Sequence, residues 1–320
     1  MKVLANDGIS PSGKKKLEEA GFTVKTNTVE QDKLIDYINA NDVSALCVRS
    51  ATKVRKEVFD ACPGLRFVGR GGVGMDNIDV EYGRSKGVTV TNTPASSSQS
   101  VAELVMAHLF SLARSTYDAN RQMPEKGNSD FKVLKKKYGK GMELRGKTLG
   151  IIGFGRIGQA LAQYALGSGM RVICTDLFDV NTEVKFTVEG YGEVAVNVEK
   201  VDMQTLLKVS DAISVHVPKQ DDGSAVIRKN ELDMMKDGVI LVNAARGGVI
   251  DEPALLTALD SGKVHAAALD VFENEPTPDP TVLAHEKLAL SPHIGAATVE
   301  AQDRIGVELA DLIIGELTPA

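Results

Sequence analysis

Short apolar runs and helical stretches alternate along most of this 320-residue chain. Within residues 1–95, strand-like patterns occur at 2–6, 22–25, 45–49, 66–69 and 88–91. Segments with helical spacing of apolar residues, such as 12–20 and 33–39, lie between them. Because strands that alternate with helices build parallel sheets covered by helices, this part is predicted to form one α/β domain.

A second series of the same kind follows between residues 147 and 296. Its predicted strands lie at 148–152, 170–176, 213–217, 239–243, 267–271 and 288–290. A long amphipathic segment, 100–119, joins the two series and carries its apolar residues at helical spacing. His108 lies on the apolar face of that segment, and we interpret it as a packed core residue.

The predicted fold class is therefore α/β, with two doubly wound parallel-sheet domains. A last helix, 298–314, is expected to return to the first domain and make it discontinuous. The predicted boundaries are residues 1–97 plus 297–320 for the first domain and 98–296 for the second. One stretch, 181–201, has apolar residues at every second position around Gly190-Tyr191-Gly192, which predicts a hairpin.

The strongest chemical signal is the run Gly153-Phe154-Gly155-Arg156-Ile157-Gly158, between the strand 148–152 and a helical stretch, 157–165. Gly153 would allow the tight turn, Gly155 the approach of backbone amides to phosphate, and Gly158 the close packing of helix on strand. A pyrophosphate would then lie at the helix N-terminus. Asp176 ends the next strand and would accept from a ribose 2′-hydroxyl, so we predict NAD rather than NADP.

Three residues in separate loops offer a cation, a carboxylate and an imidazole: Arg246, Glu275 and His293. Arg246 can hold a substrate carboxylate or C2 oxygen with paired hydrogen bonds. His293 would take the C2 hydroxyl proton as hydride leaves for the nicotinamide, and return it on reduction. Glu275 would hydrogen-bond the imidazole, favour its protonated form and fix its orientation. Together with the glycine turn, this set predicts hydride transfer at a 2-hydroxy acid.

Composition narrows the function classes only slightly. The hydrophobic fraction of 43% is ordinary for a globular domain, and the formal charge of −6 argues against general affinity for nucleic acid. Cys47, Cys62 and Cys174 are isolated, so neither a disulfide framework nor a metal site is predicted, and Cys47 and Cys174 are expected to be buried. With no leader-like or membrane-length apolar run, a cytoplasmic location is expected.

Ordered motifs along nearly the whole chain resemble the D-isomer-specific 2-hydroxyacid dehydrogenase family, and within it most closely the phosphoglycerate dehydrogenase branch. These motifs are residues 48–54, 69–79, 92–94, 153–158, 243–248, 269–276 and 291–296. The resemblance implies two Rossmann/flavodoxin-like domains with a cleft between them, NAD bound by the second domain, and a homodimer formed through that domain. It also implies oxidation of D-3-phosphoglycerate to 3-phosphohydroxypyruvate, at the entry to serine biosynthesis.

The resemblance assigns further binding residues. On the substrate side, the amides of the glycine-rich turn would hold the carboxylate and nearby polar residues the phosphate; the residues are Gly72, Val73, Gly74, Arg49, Ser50 and Arg70. On the cofactor side, residues 216–218 would border the adenosine and Asp270 would lie near the nicotinamide amide; the full set of further cofactor-binding residues is His216, Val217, Pro218, Ala244, Ala245, Arg246, Asp270, His293, Gly295 and Ala296. Asp211 is interpreted as structural.

Three features depart from the family pattern. The predicted hairpin at 181–201 stands where relatives have a shorter helical connection. The run Lys135-Lys136-Lys137 lacks a neighbouring tryptophan and is interpreted as a solvated arm at the dimer edge, an anionic effector site being the less favoured alternative. Longer relatives continue beyond the position of Ala320 into a serine-binding regulatory domain, so serine feedback through such a domain is not expected here.

Two alternative functions stay open. A glyoxylate/hydroxypyruvate reductase, or another D-2-hydroxyacid dehydrogenase, would prefer an unphosphorylated substrate and would not need Arg49. An NAD-sensing corepressor-like protein would instead have a peptide-binding cleft in the first domain and disordered tails.

Overall fold

The structure is a computed structural model that describes residues 1–220 and 222–318. The chain divides into two compact units. The first unit comprises Met1–Ser100 and the residues from Ala296 onward, and the second comprises Val101–Gly295. Each unit has its own parallel sheet, as expected for an α/β chain.

The sheet of the first unit has five parallel strands in the order β2-β1-β3-β4-β5. The strands are β1 (Lys2–Ala5), β2 (Thr23–Lys25), β3 (Val43–Val48), β4 (Phe67–Arg70) and β5 (Thr89–Asn92). The helices between them are α1 (Pro11–Glu19), α2 (Leu34–Ala40), α3 (Lys56–Ala61) and α4 (Val80–Ser85). The five predicted strands are confirmed, with ends shifted by one or two residues. The strand order reverses between β1 and β3, which is where open α/β sheets bind ligands.

The second unit has a seven-stranded parallel sheet in the order β10-β7-β6-β11-β12-β13-β14, and a separate two-stranded sheet, β8-β9. Helices α5 (Ser98–Arg114), α6 (Thr116–Lys126) and α7 (Phe131–Tyr138) precede the large sheet in the chain. The strands are β6 (Thr148–Ile152), β7 (Arg171–Thr175), β8 (Glu183–Val188), β9 (Gly192–Asn197), β10 (Glu199–Lys200), β11 (Ala212–Val215), β12 (Val239–Asn243), β13 (Val264–Leu269) and β14 (Leu288–Leu290). The remaining helices are α8 (Arg156–Gly167), α9 (Met203–Val209), α10 (Lys229–Met234), α11 (Glu252–Ser261) and α12 (Pro280–Ala284).

Three further expectations are confirmed. The stretch 181–201 contains an antiparallel hairpin, in which Val184 pairs with Val196 and Phe186 with Val194. Cys47, in the first unit, and Cys174 are buried, at 1% and 0% exposure. Asp211 is also structural, because its carboxylate accepts from the Thr148 amide at 2.8 Å and pairs with Lys236 at 3.0 Å.

One other expectation needs correction. The amphipathic segment 100–119 is not one helix, because Ser115 adopts a left-handed backbone conformation, with φ +50°, and separates α5 from α6. The run of apolar residues at helical spacing ends at Leu112, so it does not reveal this interruption. Lys135, Lys136 and Lys137 are exposed, as expected for a solvated run, and Lys137 Nζ also lies 2.7 Å from Asp118 Oδ2.

A final helix, α13 (Val299–Leu317), belongs to the first unit. Thr298 caps it by accepting from the Ala301 amide at 3.2 Å. Ile305, Leu309 and Ile313 are buried in one cluster with apolar residues of β1, β3 and β4. The helix therefore supplies one side of the core that covers the five-stranded sheet. Among the described residues, no helix is both long and apolar enough to span a membrane.

Candidate active site

The glycine turn lies at the carboxyl end of β6, next to the reversal of strand order between β6 and β11. Gly153 has φ +90°, and a Cβ there would lie 2.6 Å from the His216 carbonyl oxygen. A Cβ on Gly158 would overlap the carbonyl oxygen of Gly153. At Gly155, in contrast, the space where a Cβ would point is open. The turn therefore needs glycine twice for packing and leaves room over the N-terminus of α8, where Arg156 and Ile157 begin the helix.

Asp176 follows β7 and lies beside this turn. Its Oδ2 accepts from the Phe154 amide at 2.7 Å, and its Oδ1 accepts from the Phe178 amide at 3.0 Å. The carboxylate is thus fixed next to the glycine turn, which is the position expected of an acid that binds a ribose. Leu177 and Phe178 are 98% and 75% exposed and provide apolar surface immediately after it.

Residues 216–218 follow β11 and lie on the other side of the glycine turn. His216 Nε2 is 2.9 Å from Ser214 Oγ, and its Nδ1 is enclosed without a hydrogen-bond partner among the described residues. Burial lowers the pKa of His216 to about 4, so the ring is neutral near pH 7. A Cβ on Gly153 would lie 2.8 Å from Val217 Cγ1, so Val217 also borders the turn. Pro218 is exposed.

Arg246 is held in a turn that Asn243, the last residue of β12, organises. Asn243 Oδ1 accepts from the Ala245 amide at 3.0 Å, and its Nδ2 donates to the Arg246 carbonyl at 3.0 Å. Arg246 Nη1 donates to the Ala245 carbonyl at 2.6 Å, and Ala244 is half-buried beside it. The sequence-based site did not include Asn243, although asparagine at a strand end is a known signal for a turn stabilised by its side chain.

Glu275 and His293 form a hydrogen-bonded pair, with 2.8 Å between Glu275 Oε2 and His293 Nδ1. The other carboxylate oxygen, Oε1, accepts from the Phe272 amide at 3.0 Å. Burial alone would raise the pKa of Glu275, but the hydrogen bonds from His293 and Phe272, with the charges of His293 and Arg246, outweigh it, and the pKa is lowered. His293 has φ +54°, a left-handed conformation that non-glycine residues seldom adopt.

Asp270 is buried under the loop that carries His293. Its Oδ1 accepts from the Ser291 hydroxyl at 2.6 Å and the Ile294 amide at 2.9 Å, and its Oδ2 accepts from the Gly295 amide at 2.8 Å. The carboxylate therefore fastens residues 291–295. Ala296, which begins the return to the first unit, accepts from Gln302 Nε2 at 2.6 Å.

A cavity of about 410 Å³ adjoins the Glu275–His293 pair within the second unit. Its other lining residues are mostly apolar: Phe272, Pro276, Pro278, Leu283, Leu290, Ser291 and Pro292. The pair therefore lies at the border of a recess rather than on a flat surface. Among the described residues, no group of three or more His, Cys, Asp or Glu side chains is arranged to hold a metal ion.

In the first unit, two arginines flank the glycine-rich turn after β4. The guanidinium of Arg70 lies directly over Gly72, whose φ is +133°, so that a Cβ on Gly72 would overlap Arg70 Nη1. Arg49 Cγ would lie 3.7 Å from a Cβ on Gly71. Burial lowers the pKa of Arg49, and the charge of Asp7 partly opposes this.

The backbone of this turn is already partly bonded. The Gly72 amide donates to Thr93 Oγ1 at 2.8 Å, and Asn92 Nδ2 donates to the Val73 carbonyl. Carboxylate binding by this turn would therefore depend on the residues after Gly72, such as Gly74. Asp7 Oδ2 accepts from the Arg49 amide at 2.6 Å, and Ser50, next in the chain, is exposed. Thr93 and Asp7 were not singled out in the sequence.

Comparison with known proteins identifies the class. Residues 106–295 match the D-isomer specific 2-hydroxyacid dehydrogenase, NAD binding domain. The chain is 44% identical to hydroxypyruvate reductase of Thermotoga maritima over 92% of this chain and 90% of that protein. It is 40% identical to D-3-phosphoglycerate dehydrogenase of Archaeoglobus fulgidus over 98% of this chain but only 57% of that longer protein. The crystal structure of a glyoxylate reductase from Paecilomyes thermophila superposes with a TM-score of 0.81 at 28% identity, covering 99% of this chain and 97% of that one.

The chain belongs to the D-isomer specific 2-hydroxyacid dehydrogenase family, and its second unit is the NAD-binding domain of that family. The local geometry fits the cofactor, because the turn at Gly153–Gly158 leaves open space over α8 and Asp176 lies beside it. The relatives carry two different substrate names at similar identity, so family membership alone leaves the substrate undecided.

Proposed function

We propose that this protein catalyses the NAD-dependent oxidation of D-3-phosphoglycerate to 3-phosphohydroxypyruvate, as a cytoplasmic enzyme of serine biosynthesis. The observation that carries the reaction type is the 2.8 Å contact between His293 Nδ1 and Glu275 Oε2. It leaves His293 Nε2 as the ring atom available to the C2 oxygen of a substrate.

Three residues of the second unit then have roles in the reaction. His293 Nε2 takes the C2 hydroxyl proton on oxidation and returns it on reduction. Glu275 holds the ring in place and stabilises the protonated imidazole. The Arg246 guanidinium binds the substrate carboxylate or C2 oxygen through hydrogen bonds that need no change of protonation. Bound NAD supplies the acceptor for the hydride.

The preference for a phosphorylated substrate is supported by the two arginines of the first unit. Arg49 follows β3, next to the reversal of strand order, and Arg70 ends β4, so that both lie at the carboxyl edge of the same sheet. A phosphate dianion favours such a pair of guanidinium groups. The Asp7 carboxylate, which accepts from the Arg49 amide, offsets part of this positive charge.

Hydroxypyruvate reduction is the second candidate. The observation that favours it is the 44% identity to the hydroxypyruvate reductase of Thermotoga maritima, which this chain covers over 90% of its length. In that case Arg49 would stabilise the first unit through its contacts with Asp7 and would not bind substrate.

NADH oxidation with 3-phosphohydroxypyruvate, hydroxypyruvate and glyoxylate at equal concentrations separates the two. We expect preference for the phosphorylated substrate. Arg49→Ala should lower kcat/KM for that substrate about 10- to 100-fold, the range for losing a charged hydrogen bond, and affect hydroxypyruvate much less. Arg66→Ala, which removes an exposed cation at the opposite end of β4, is the matched control. Equal or faster turnover without phosphate would contradict the proposal and favour the reductase.

We also propose that the protein is a homodimer formed through the NAD-binding unit. Three large apolar side chains of α5 and α7 are strongly exposed there: Phe110, Phe131 and Val133, at 49%, 56% and 64%. Light scattering should give twice the chain mass of 34.2 kDa.

A further inference from the structure

A buried polar chain lies behind the loop that carries His293. His108, in the middle of α5, places its Nε2 3.1 Å from Ser291 Oγ. Ser291 Oγ in turn lies 2.6 Å from Asp270 Oδ1. The three residues are 9%, 8% and 1% exposed, so water does not replace these contacts.

The direction of each hydrogen bond follows from the proton count. A hydroxyl has one proton, and an ionised carboxylate can only accept. Ser291 therefore donates its proton to Asp270, and His108 must donate through Nε2–H to the Ser291 oxygen. Burial lowers the pKa of His108 while the charge of Asp270 opposes this, so the ring is neutral near pH 7 with its proton on Nε2.

His108 is surrounded by apolar side chains, so a polar residue at this position needs an explanation. Its neighbours along α5, Val105, Leu109 and Leu112, are fully buried apolar residues of the same core. A leucine at position 108 would suit that core, whereas a buried imidazole is costly unless its hydrogen bonds are made. The residue is therefore better explained by its link to Ser291 than by packing alone.

The series of hydrogen bonds from His108 through Ser291 ends at Asp270, whose carboxylate fixes the backbone around His293. Asp270 Oδ1 receives the Ser291 hydroxyl and the Ile294 amide, so one oxygen bonds residues on both sides of His293. His293 itself has φ +54°, which needs support from its surroundings to persist. A change in the Ser291 hydroxyl would therefore be transmitted directly to the backbone that orients the imidazole.

We propose that His108 is a positioning residue for His293 and acts through Ser291 and Asp270. The consequence for catalysis rests on the proposed role of His293 as acid/base, whereas the consequence for the loop does not. His108 touches neither substrate nor cofactor in this assignment; it orients the Ser291 hydroxyl, and Asp270 then holds the loop.

The first experiment compares His108→Leu with His108→Gln, whose amide can donate from nearly the same place as Nε2–H. His108→Leu should lower kcat by about 5- to 20-fold, because small misplacement of a catalytic group has large effects, with less than about a 2-fold change in KM for NADH. His108→Gln should restore most of the rate. Leu112→Val, one turn along the same helix, controls for general destabilisation of the core. Equal losses in His108→Leu and Leu112→Val would overturn the proposal.

The second experiment is independent of turnover. Hydrogen exchange at the Ile294 and Gly295 amides should accelerate about 10-fold or more in His108→Leu and in Ser291→Ala, but not in Leu112→Val. Ser291→Ala removes a single oxygen and reports the same link if His108→Leu fails to fold. Unchanged exchange in Ser291→Ala would refute the positioning role. A wild-type protein without 2-hydroxyacid turnover, but with this exchange response, would refute the proposed function and leave the positioning role standing.

Discussion

The two oxygens of the Glu275 carboxylate have different partners. Oε2 faces His293 Nδ1, and Oε1 accepts from the Phe272 amide, so the carboxylate is anchored to its own loop while it orients the imidazole. Because the pKa of Glu275 is lowered, its charge is present above the ordinary glutamate range and is lost only as the pH falls below that range.

Glu275→Gln should therefore lower kcat by about 10- to 100-fold, equivalent to about 1.4–2.7 kcal/mol of transition-state stabilisation. The amide can still bond the loop, but it cannot stabilise a charged imidazole. Steady-state kinetics with the preferred 2-oxo acid measures the effect, and Glu286→Gln, at an exposed position, is the control. Wild-type kcat in Glu275→Gln would contradict the assigned role.

His216 makes stability depend on pH. Its folded pKa, about 4, is below the ordinary histidine pKa of 6.5, so as the pH falls the unfolded chain binds this proton first. Stability should therefore fall as the pH drops from about 6.5 to 4, by about 1.4 kcal/mol per unit and about 3 kcal/mol in total.

His216→Leu should flatten this slope in thermal or urea unfolding between pH 7 and pH 4.5. His265→Leu, at an exposed position of β13, should keep the wild-type slope. A slope that is the same in all three proteins would show that His216 is accessible to protons in the folded state.

Residue types were easier to predict than their partners. His108 was expected to be packed in the core, and its burial confirms this, but its bond to Ser291 was not foreseen. Asn243, Thr93 and Asp7 also support predicted site residues and were missed. Asn243 had a local signal, asparagine at a strand end, whereas Thr93 and Asp7 act through hydrogen bonds to segments distant in the chain, which no local sequence pattern specifies.

At the scale of elements, α1 and α13 pack closely against each other. A Cβ on Gly13 would overlap the Gly306 carbonyl oxygen, and a Cβ on Gly306 would overlap Ser10 Oγ. Ser10 also caps α1 by accepting from the Gly13 amide at 3.1 Å. The two helices can therefore approach only because both positions are glycine.

Gly306→Ala should destabilise the protein by about 1–3 kcal/mol, the usual cost of overpacking. Gly315→Ala, in the same helix but with open space at its Cβ position, should instead stabilise it by about 0.5–1 kcal/mol through helix propensity. Urea unfolding of both variants tests the contrast. Equal effects would mean that α13 can shift on α1.

Helices and strands were predicted correctly where the spacing of apolar residues was regular. The hairpin β8-β9 was recognised because its period of two residues differs from that of a helix. The division between α5 and α6 was not, because it depends on the left-handed backbone of one residue, Ser115, which the apolar pattern does not report.

At the scale of the whole molecule, each hydrophobic core lies within one of the two units. Two apolar clusters lie entirely in the second unit and two in the first, among the described residues. One of the first unit's clusters combines Val3, Ala45 and Phe67 with residues of α13. The first unit therefore needs both ends of the chain, whereas the second is continuous.

A fragment of residues 101–295 should fold and bind NADH, because its cores are complete. Residues 1–100 alone should not fold cooperatively, since α13 is missing, and joining them to 296–320 through a flexible linker should restore a cooperative transition. Circular dichroism and NADH fluorescence measure both. Cooperative unfolding of 1–100 alone would contradict the role given to α13.

The sequence by itself determined the alternation of strands and helices, the glycine turn and the family, because these depend on residues that are neighbours in the chain. The tertiary structure decided the contacts that no motif indicates: His108 with Ser291, 183 residues apart, and Ser291 with Asp270, 21 apart. Such contacts depend on strand order, loop conformation and helix packing. They arise only when the second unit has folded, so they cannot be read from local patterns.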